Sequence, residues 1–305
     1  MSFWHNAWPL EMFLSVTALI SSCCFLFIIS SVSFVENRCR PFLIQFCVSL
    51  ILLSIAHGVK TFDYTISEKS KSGKYIESDL FKFFDLIHEF SYCMESFSLL
   101  SFTIERYWNS RNGSKTTYIF YIFVVILLTL NTLVSYYFAI SSRSYSDSIV
   151  IIPMSLISAL DIVSLAILTR LFQNSANRYK KTTGMISLEQ RYQISDVYYW
   201  SKTLIPVIFV GVIIKLLSLI SAWIVMLNEG PVEAFFNFFH ENILDAYTII
   251  LPYLVVRRHR LLNKKLIRAK LRISPEITIK TLEGKIVNMR GSAHDHFNIL
   301  HEHWK

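Results

Sequence analysis

Seven separate stretches of this 305-residue chain are long and apolar enough to cross a bilayer, and its positive charge falls almost entirely on one side of them. The stretches are 12–35, 41–59, 83–104, 118–140, 149–169, 204–227 and 235–256. Each approaches the ~20 apolar residues that a hydrocarbon core of ~30 Å requires. An odd number of spans puts the two chain ends on opposite sides. The connections on the amino-terminal side hold six Lys and Arg residues, five of them in 60–82 and one in 141–148. The opposite side holds twenty-three, twelve of them from Arg257 onward, and Lys215 lies inside the sixth span. Cytoplasmic loops carry the excess of Lys and Arg, so the amino terminus is expected outside and the tail in the cytosol. The expected fold is all-α, a seven-transmembrane helix bundle.

Composition agrees. The hydrophobic fraction of 53%, with 24 Phe and 15 Tyr, exceeds what a soluble core of this size needs. The net charge of +8 sits beside span ends, where anionic inner-leaflet lipid attracts it, and this placement argues against a nucleic-acid partner. No Lys or Arg precedes the first span, and no small-x-small signal follows it, so it reads as a retained anchor and not a cleaved signal peptide. The five cysteines are Cys23, Cys24, Cys39, Cys47 and Cys93, none in an outer connection, so no disulfide framework is expected. Cys39, between Arg38 and Arg40 at the membrane edge, has the setting of a palmitoylation site, although an unmodified thiol is the ordinary reading.

The chain divides into the bundle at 1–256, a basic amphipathic juxtamembrane helix at 257–273 and a cytosolic tail at 274–305. The juxtamembrane segment carries eight basic residues through Arg272, and Leu261, Leu262, Leu266, Ala269 and Ile273 recur near helical spacing, the pattern of a helix lying on the inner leaflet. The outer loop at 60–80 mixes charges with small residues and reads as mobile, whereas the inner connection at 170–203 reads as long, basic and partly helical. The tail reads as polar and weakly ordered. No internal repeat supports inverted-repeat transporter architecture.

Ionisable groups are costly in a hydrocarbon core and therefore face the bundle interior and find partners. On the third span Asp85, His88, Glu89, Tyr92 and Glu95 recur at three- and four-residue steps and share a face. The fifth span carries Asp161, the sixth Lys215, and the seventh His240, Glu241 and Asp245. At 1.5 Å per residue, Lys215 and Asp245 lie ~16 Å from the inner ends of their spans, Glu95 ~14 Å and Asp161 ~13 Å. These four are the candidate ionic switch, and matched depth names Asp245 as the partner of Lys215. A fixed buried pair that sets helix register is the alternative. Asp85, His88, Glu89, Tyr92 and Glu241 lie nearer the outside and are candidates for contact with a small ligand; the alternative is that some merely line a watery vestibule.

Enzyme signatures are missing. His88-Glu89 and His240-Glu241 each lack the second histidine of a zinc-binding H-E-x-x-H helix, and no nucleophile elbow or phosphate loop is found. His294, His296, His301 and His303 fall close together in the tail, but without a cysteine nearby they make a poor metal site. Neither a metal nor a cofactor is expected.

Two cytosolic motifs narrow the reading. The third span ends in Ile104-Glu105-Arg106-Tyr107-Trp108-Asn109-Ser110, which resembles the acidic-Arg-aromatic end of helix three in G protein-coupled receptors. It resembles still more the E-R-x-x-A-[ST] ending of nematode serpentine chemoreceptors. Before the sixth span stands Leu188-Glu189-Gln190-Arg191-Tyr192-Gln193-Ile194-Ser195-Asp196, similar to the L-x-x-R-[FY]-Q-x-x-E-N element of class epsilon (Sre) receptors in that family. Asn109 stands where the family usually has Ala, and Asp196-Val197 where it has Glu-Asn. No cysteine pair can staple the third helix to the second outer loop. Pro153 and Pro206 stand at the starts of spans five and six, leaving Pro252 as the proline deep in a span.

The resemblance implies a chemosensory receptor that binds an external small molecule and couples to a heterotrimeric G protein, with no enzymatic activity. Its coupling surface would include Glu105, Arg106, Tyr107, Arg191, Tyr192 and Gln193, and its basic tail would rest on anionic inner-leaflet lipids. The rival is a small-molecule or ion transporter that relays charge through the midplane acids and Lys215. Asn112-Gly113-Ser114 supplies a test of orientation, since it is a glycosylation acceptor by sequence but falls in the second cytosolic loop. Mass spectrometry of protein from eukaryotic membranes should find Asn112 bare, and an acceptor engineered near Ser72 glycosylated. Sugar on Asn112 would overturn the orientation.

Overall fold

The computed structural model describes residues 7–31, 39–70, 78–112, 118–144, 147–181, 188–227, 231–259, 278–280 and 286–288. Seven helices account for almost all of them: α1 (Trp8–Ser31), α2 (Arg40–Ser70), α3 (Asp79–Asn112), α4 (Tyr118–Ser144), α5 (Asp147–Lys181), α6 (Leu188–Leu227) and α7 (Pro231–Arg258). α2 packs between α1 and α3, α6 between α5 and α7, and α7 closes against α1. α3 touches α2, α4, α5 and α6, which makes it the axle of the bundle. In the tail, β1 (Thr278–Lys280) and β2 (Ile286–Asn288) pair antiparallel with Ile279 opposite Val287, a short hairpin where the sequence pattern suggested no regular structure.

The helices outrun the apolar stretches. α2 continues eleven residues beyond 59 into the supposed outer loop, so Lys60 is a helical residue. α5 reaches Lys181 and α6 starts at Leu188, which shrinks the supposed 34-residue inner connection to residues 182–187. Pro206 is consequently well inside a helix and not at its start. Hydropathy marks where a helix meets lipid, whereas backbone hydrogen bonding continues through polar turns on either side.

Five helices, α1, α2, α4, α5 and α6, contain segments long and apolar enough to cross a membrane. α3 and α7 fall short of that standard, contrary to the reading that all seven stretches are long and apolar enough. The reason is that their ionisable residues turn inward: Glu95, Asp245 and the end-of-span pair Glu105 and Arg106 are all buried. The bundle is thus a multi-pass membrane protein whose two most polar helices are sheltered by the others.

Local chemistry sets the details. Ser78 caps α3, its hydroxyl accepting from the Phe81 backbone N–H at 2.9 Å and donating to Asp63 of α2 at 2.6 Å. Buried hydroxyls such as Ser54, Ser98, Thr103 and Thr248 donate to carbonyls four residues back, which keeps small polar side chains satisfied at helix contacts. Gln45 of α2 accepts from Ser98 of α3 and Asn131 of α4, tying three helices together near one end of the bundle. Near Arg106, Phe102 meets Trp200 edge-on and Trp200 meets His259 at a tilt, with centroids 5.6 and 4.4 Å apart. Burial pushes the His259 imidazole down to about 4, so it packs as a neutral ring and holds the end of α7 against α6. Cys39 is buried, which removes it from the reach of an acyl chain. Residues 257 and 258 belong to α7, and the rest of the basic juxtamembrane segment, from 260 to 273, lies outside the described residues.

Gly211 of α6 is needed for packing and not for backbone freedom. A Cβ there would stand 3.0 Å from Tyr247 Cε2 and 3.2 Å from its hydroxyl oxygen. Gly211→Leu should therefore cost about 1–3 kcal/mol by overpacking the α6–α7 seam. Thermal unfolding of the purified protein measures it, and an unchanged midpoint would show that this seam is loose.

Candidate functional site

Three clusters of charge, all buried or partly buried, lie along the bundle. The first is at the midplane. Lys215 Nζ of α6 donates to the Glu95 carboxylate, to Ser96 Oγ at 2.5 Å and to Asp161 Oδ2 of α5 at 2.7 Å. Tyr247 of α7 donates to the second Glu95 oxygen at 2.6 Å, and the Tyr92 and Tyr247 rings flank the ammonium at 5.1 and 5.7 Å. The Lys215 side chain is wholly inaccessible and Asp161 is 3% exposed. One cation and two carboxylates thus join α3, α5 and α6, and Tyr247 adds α7. In a medium of low dielectric an unpaired ammonium would be intolerable, so this ionic knot dictates which faces of the four helices meet.

Asp245 is not part of it. The expected Lys215–Asp245 pair fails because depth along an axis says nothing about direction around it. Tyr247, two residues later and so turned ~200° about α7, faces Glu95, while Asp245 faces α1 and α2. There Asp245 Oδ2 accepts from Ser15 at 2.6 Å and lies 2.7 Å from His57 Nδ1. Of the four candidate switch residues, Glu95, Asp161 and Lys215 come together and Asp245 anchors the second cluster.

That second cluster extends toward the end of the bundle where α2 meets α3 and α6 meets α7. Lys60 Nζ reaches Asp85 Oδ1 at 2.8 Å and Glu241 Oε1 at 3.4 Å. Glu241 Oε2 lies 3.7 Å from His57 Nε2 and 3.9 Å from His88 Nε2. Asp85 and Glu241 keep 30% and 25% of their side chains exposed, so this cluster opens to its surroundings where the midplane knot does not. Among the expected ligand residues, Asp85, His88 and Glu241 meet here. Tyr92 belongs to the midplane knot, and Glu89 lies half-buried on α3 one residue after His88. Sequence reasoning missed Ser15, His57, Lys60, Ser96 and Tyr247. His57 and Lys60, three residues apart and thus on one helical face, were the available signal, lost when the second span was ended at 59.

The third cluster is at the other end. Arg106 is fully buried, paired with Glu105 at 2.5 and 3.0 Å and crossing to Asp196 of α6, with the Phe102 ring 5.6 Å away. Burial would disfavour its charge, but Glu105 and Asp196 hold the guanidinium ionised. Tyr107 is 39% exposed, and Trp108 stacks on Phe123 of α4 at 5.5 Å. Arg178 of α5 donates to the Ser110 carbonyl at 2.8 Å. Arg191, Tyr192 and Gln193 stand in the opening turns of α6, and their side chains lie outside the described residues. A separate groove of about 650 Å³ opens between α2 and α4, lined by Arg40, Ile44, Gln45, Leu128 and Thr132 among others; it includes no residue of the three clusters.

Such a bundle, with α3 as axle and buried ionic ties between helices, defines a seven-helix membrane fold of the rhodopsin type. Among solved structures the chain is similar to squid rhodopsin, with a TM-score of 0.66 over 88% of this chain and 81% of that one at 14% sequence identity. At that identity the likeness concerns the fold. No family model matches the chain, and no curated protein matches it.

The midplane knot makes a quantitative prediction. Lys215→Ala strands Glu95 and Asp161 and should cost about 3–5 kcal/mol of stability. Double-mutant cycles in unfolding should give a coupling of about 0.5–3 kcal/mol for Lys215 with Glu95 and with Asp161, and additivity for Lys215 with Asp245. The reverse pattern would disprove the knot.

Proposed function

We propose that this chain is a chemosensory G protein-coupled receptor of the nematode class epsilon kind, which binds an external small molecule and signals to a heterotrimeric G protein. The observation that carries the reading is the buried Arg106. It ends the third helix in the Glu105-Arg106 motif and contacts Asp196, the residue that closes the R-Y-Q element of α6. Two motifs that resemble the same receptor family, ninety positions apart in the chain, meet across one ion pair. The rhodopsin-type fold supports the receptor reading independently of those motifs.

In this reading the Arg106–Asp196 contact closes the cytosolic end at rest. A ligand that prefers a different arrangement of helices at the outer cluster moves α6 and opens it, because a ligand with equal affinity for both arrangements transmits nothing. The G protein then engages Tyr107, Arg191, Tyr192 and Gln193 beside the freed Arg106. The protein lies in the plasma membrane with its amino terminus outside, and its basic tail rests on anionic inner-leaflet lipid. Asp85, His88, Glu89 and Glu241 are the ligand-facing residues.

Asp196→Asn leaves Arg106 its Glu105 partner but weakens the tie to α6. A hydrogen bond between charged groups contributes about 1.5–3 kcal/mol, so the resting arrangement should lose roughly tenfold or more in relative population. Basal second-messenger output in cells expressing the variant should rise at equal surface expression. Basal output that stays at the level of untransfected cells, in both wild type and variant and across a panel of G proteins, would count against the receptor reading.

A further inference from the structure

Glu241, His57 and His88 form an unfinished constellation. His57 Nδ1 lies 2.7 Å from Asp245 Oδ2 and 3.0 Å from Ser15 Oγ, whose own proton is donated to Asp245 at 2.6 Å. An ionised carboxylate only accepts, so Nδ1 carries the ring proton of neutral His57. Its Nε2 is then a bare lone pair, and it points at Glu241 Oε2, 3.7 Å away. That oxygen is buried and has no hydrogen-bond partner, while the Nε2 of His88 stands 3.9 Å from it on the other side. The two rings are 6.3 Å apart. Two acceptors facing one another across this gap lack one thing, a proton. The part-exposed Glu241 side chain gives it a way in.

We propose that this constellation is a proton-binding site, so that hydronium on the outer side is a ligand of this chain; the proposal rests on the receptor reading only for its orientation and its signalling consequence. Protonation at Nε2 turns His57 into a cation between two carboxylates on successive turns of α7, Glu241 and Asp245. The imidazolium straps α2 to α7 at both turns. Other charged groups facing His57 frame the competition. From α1 comes Glu11, whose charge faces His57, Glu241 and Asp245, and from α2 comes Lys60, bound to Asp85 of α3. From α3 comes His88, and from α7 come Glu241, Asp245 and the neighbouring His240. Three α1 and α7 carboxylates thus surround His57, against Lys60, which is occupied by Asp85 and Glu241. His88 faces Glu241 and Asp85, but also the Lys60 ammonium and His57. His57 is therefore the ring that charges.

The strap exists while the proton is bound. Its stabilisation is present on the acid side of the imidazole range, near pH 6.5, and lost on the alkaline side. Glu241→Gln tests it with little risk to folding, because His57 keeps Asp245 and Lys60 keeps Asp85. The full chain in neutral-lipid nanodiscs should show a wild-type unfolding midpoint above that of Glu241→Gln by about 2–4 °C at pH 5.5, the gap closing by pH 8.5. Comparing the two proteins cancels the histidines that do not face Glu241, including His259, and leaves His88 and His240 beside His57. A gap that does not change with pH overturns the proposal. His88→Gln should preserve the pH dependence relative to its own Glu241→Gln double variant; loss of it there overturns the assignment to His57. In cells, external acidification should shift second-messenger output in wild type and not in Glu241→Gln. A pH-dependent gap in nanodiscs with silent cells leaves the proton site standing and removes the receptor reading.

Discussion

The structure depends on one constraint: a charge moved out of water into a bundle of helices needs a partner of opposite sign. Lys215 illustrates it most completely. Its side chain is inaccessible, and the idealised cost of desolvating such an ion is on the order of 20 kcal/mol, which only close carboxylates and hydrogen bonds offset. Glu95 and Asp161 supply the charge, and Ser96 and Tyr247 supply the remaining hydrogen bonds. Apolar helix faces would tolerate many rotations and offsets, since lipid tails are as apolar as leucine. The ionic knot tolerates few. Association between helices in the bilayer comes from packing, whereas orientation of α3, α5, α6 and α7 comes from this single cation.

α3 carries a station of every cluster: Asp85 and His88 near one end, Glu95 and Ser96 in the middle, Glu105 and Arg106 near the other. α6 shares the midplane knot and the Arg106 cluster through Lys215 and Asp196, and α7 shares the midplane knot and the His57 cluster through Tyr247, Glu241 and Asp245. A rotation of α6 against α3 that opened the Arg106–Asp196 contact would also strain the midplane knot. Glu95 accepts at the same time from α6 and α7, so it is the shared member through which one movement reaches the other.

How much of this was legible in the sequence follows from what each signal measures. Five of the seven helices were visible because apolar length reports directly on the bilayer, whereas the ionisable residues of α3 and α7 weaken that signal. Their true ends were not, because α2 and α6 continue through polar turns that hydropathy reads as loops. The inward face of α3 was visible in the three- and four-residue recurrence of Asp85, His88, Tyr92 and Glu95. The partner of Lys215 was half visible: Glu95 and Asp161 stood among its candidates by depth, and Asp245 was preferred by about two to three ångströms that carry no angular information. Ser15 and Tyr247 gave almost no signal, since a serine and a tyrosine in apolar helices are ordinary residues until three-dimensional packing sets them beside a carboxylate.

The two inner networks also differ in what they can do. The midplane knot has an ammonium with two carboxylates and a serine hydroxyl within bonding reach, and its members are sealed from solvent. The ammonium is fully satisfied, although Asp161 Oδ1 is buried without a hydrogen bond. The cluster around His57 has a buried carboxylate oxygen without a hydrogen bond, two imidazole nitrogens just beyond bonding distance of it, and side chains that reach its surroundings. Unsatisfied polar atoms in a low-dielectric site are where free energy is available to a newcomer, because a ligand that completes the hydrogen bonds relieves a desolvation cost already incurred. A newcomer therefore reaches the cluster around His57 and not the sealed midplane knot, and α7 joins the two, with Asp245 in the first and Tyr247 in the second a little over half a turn apart.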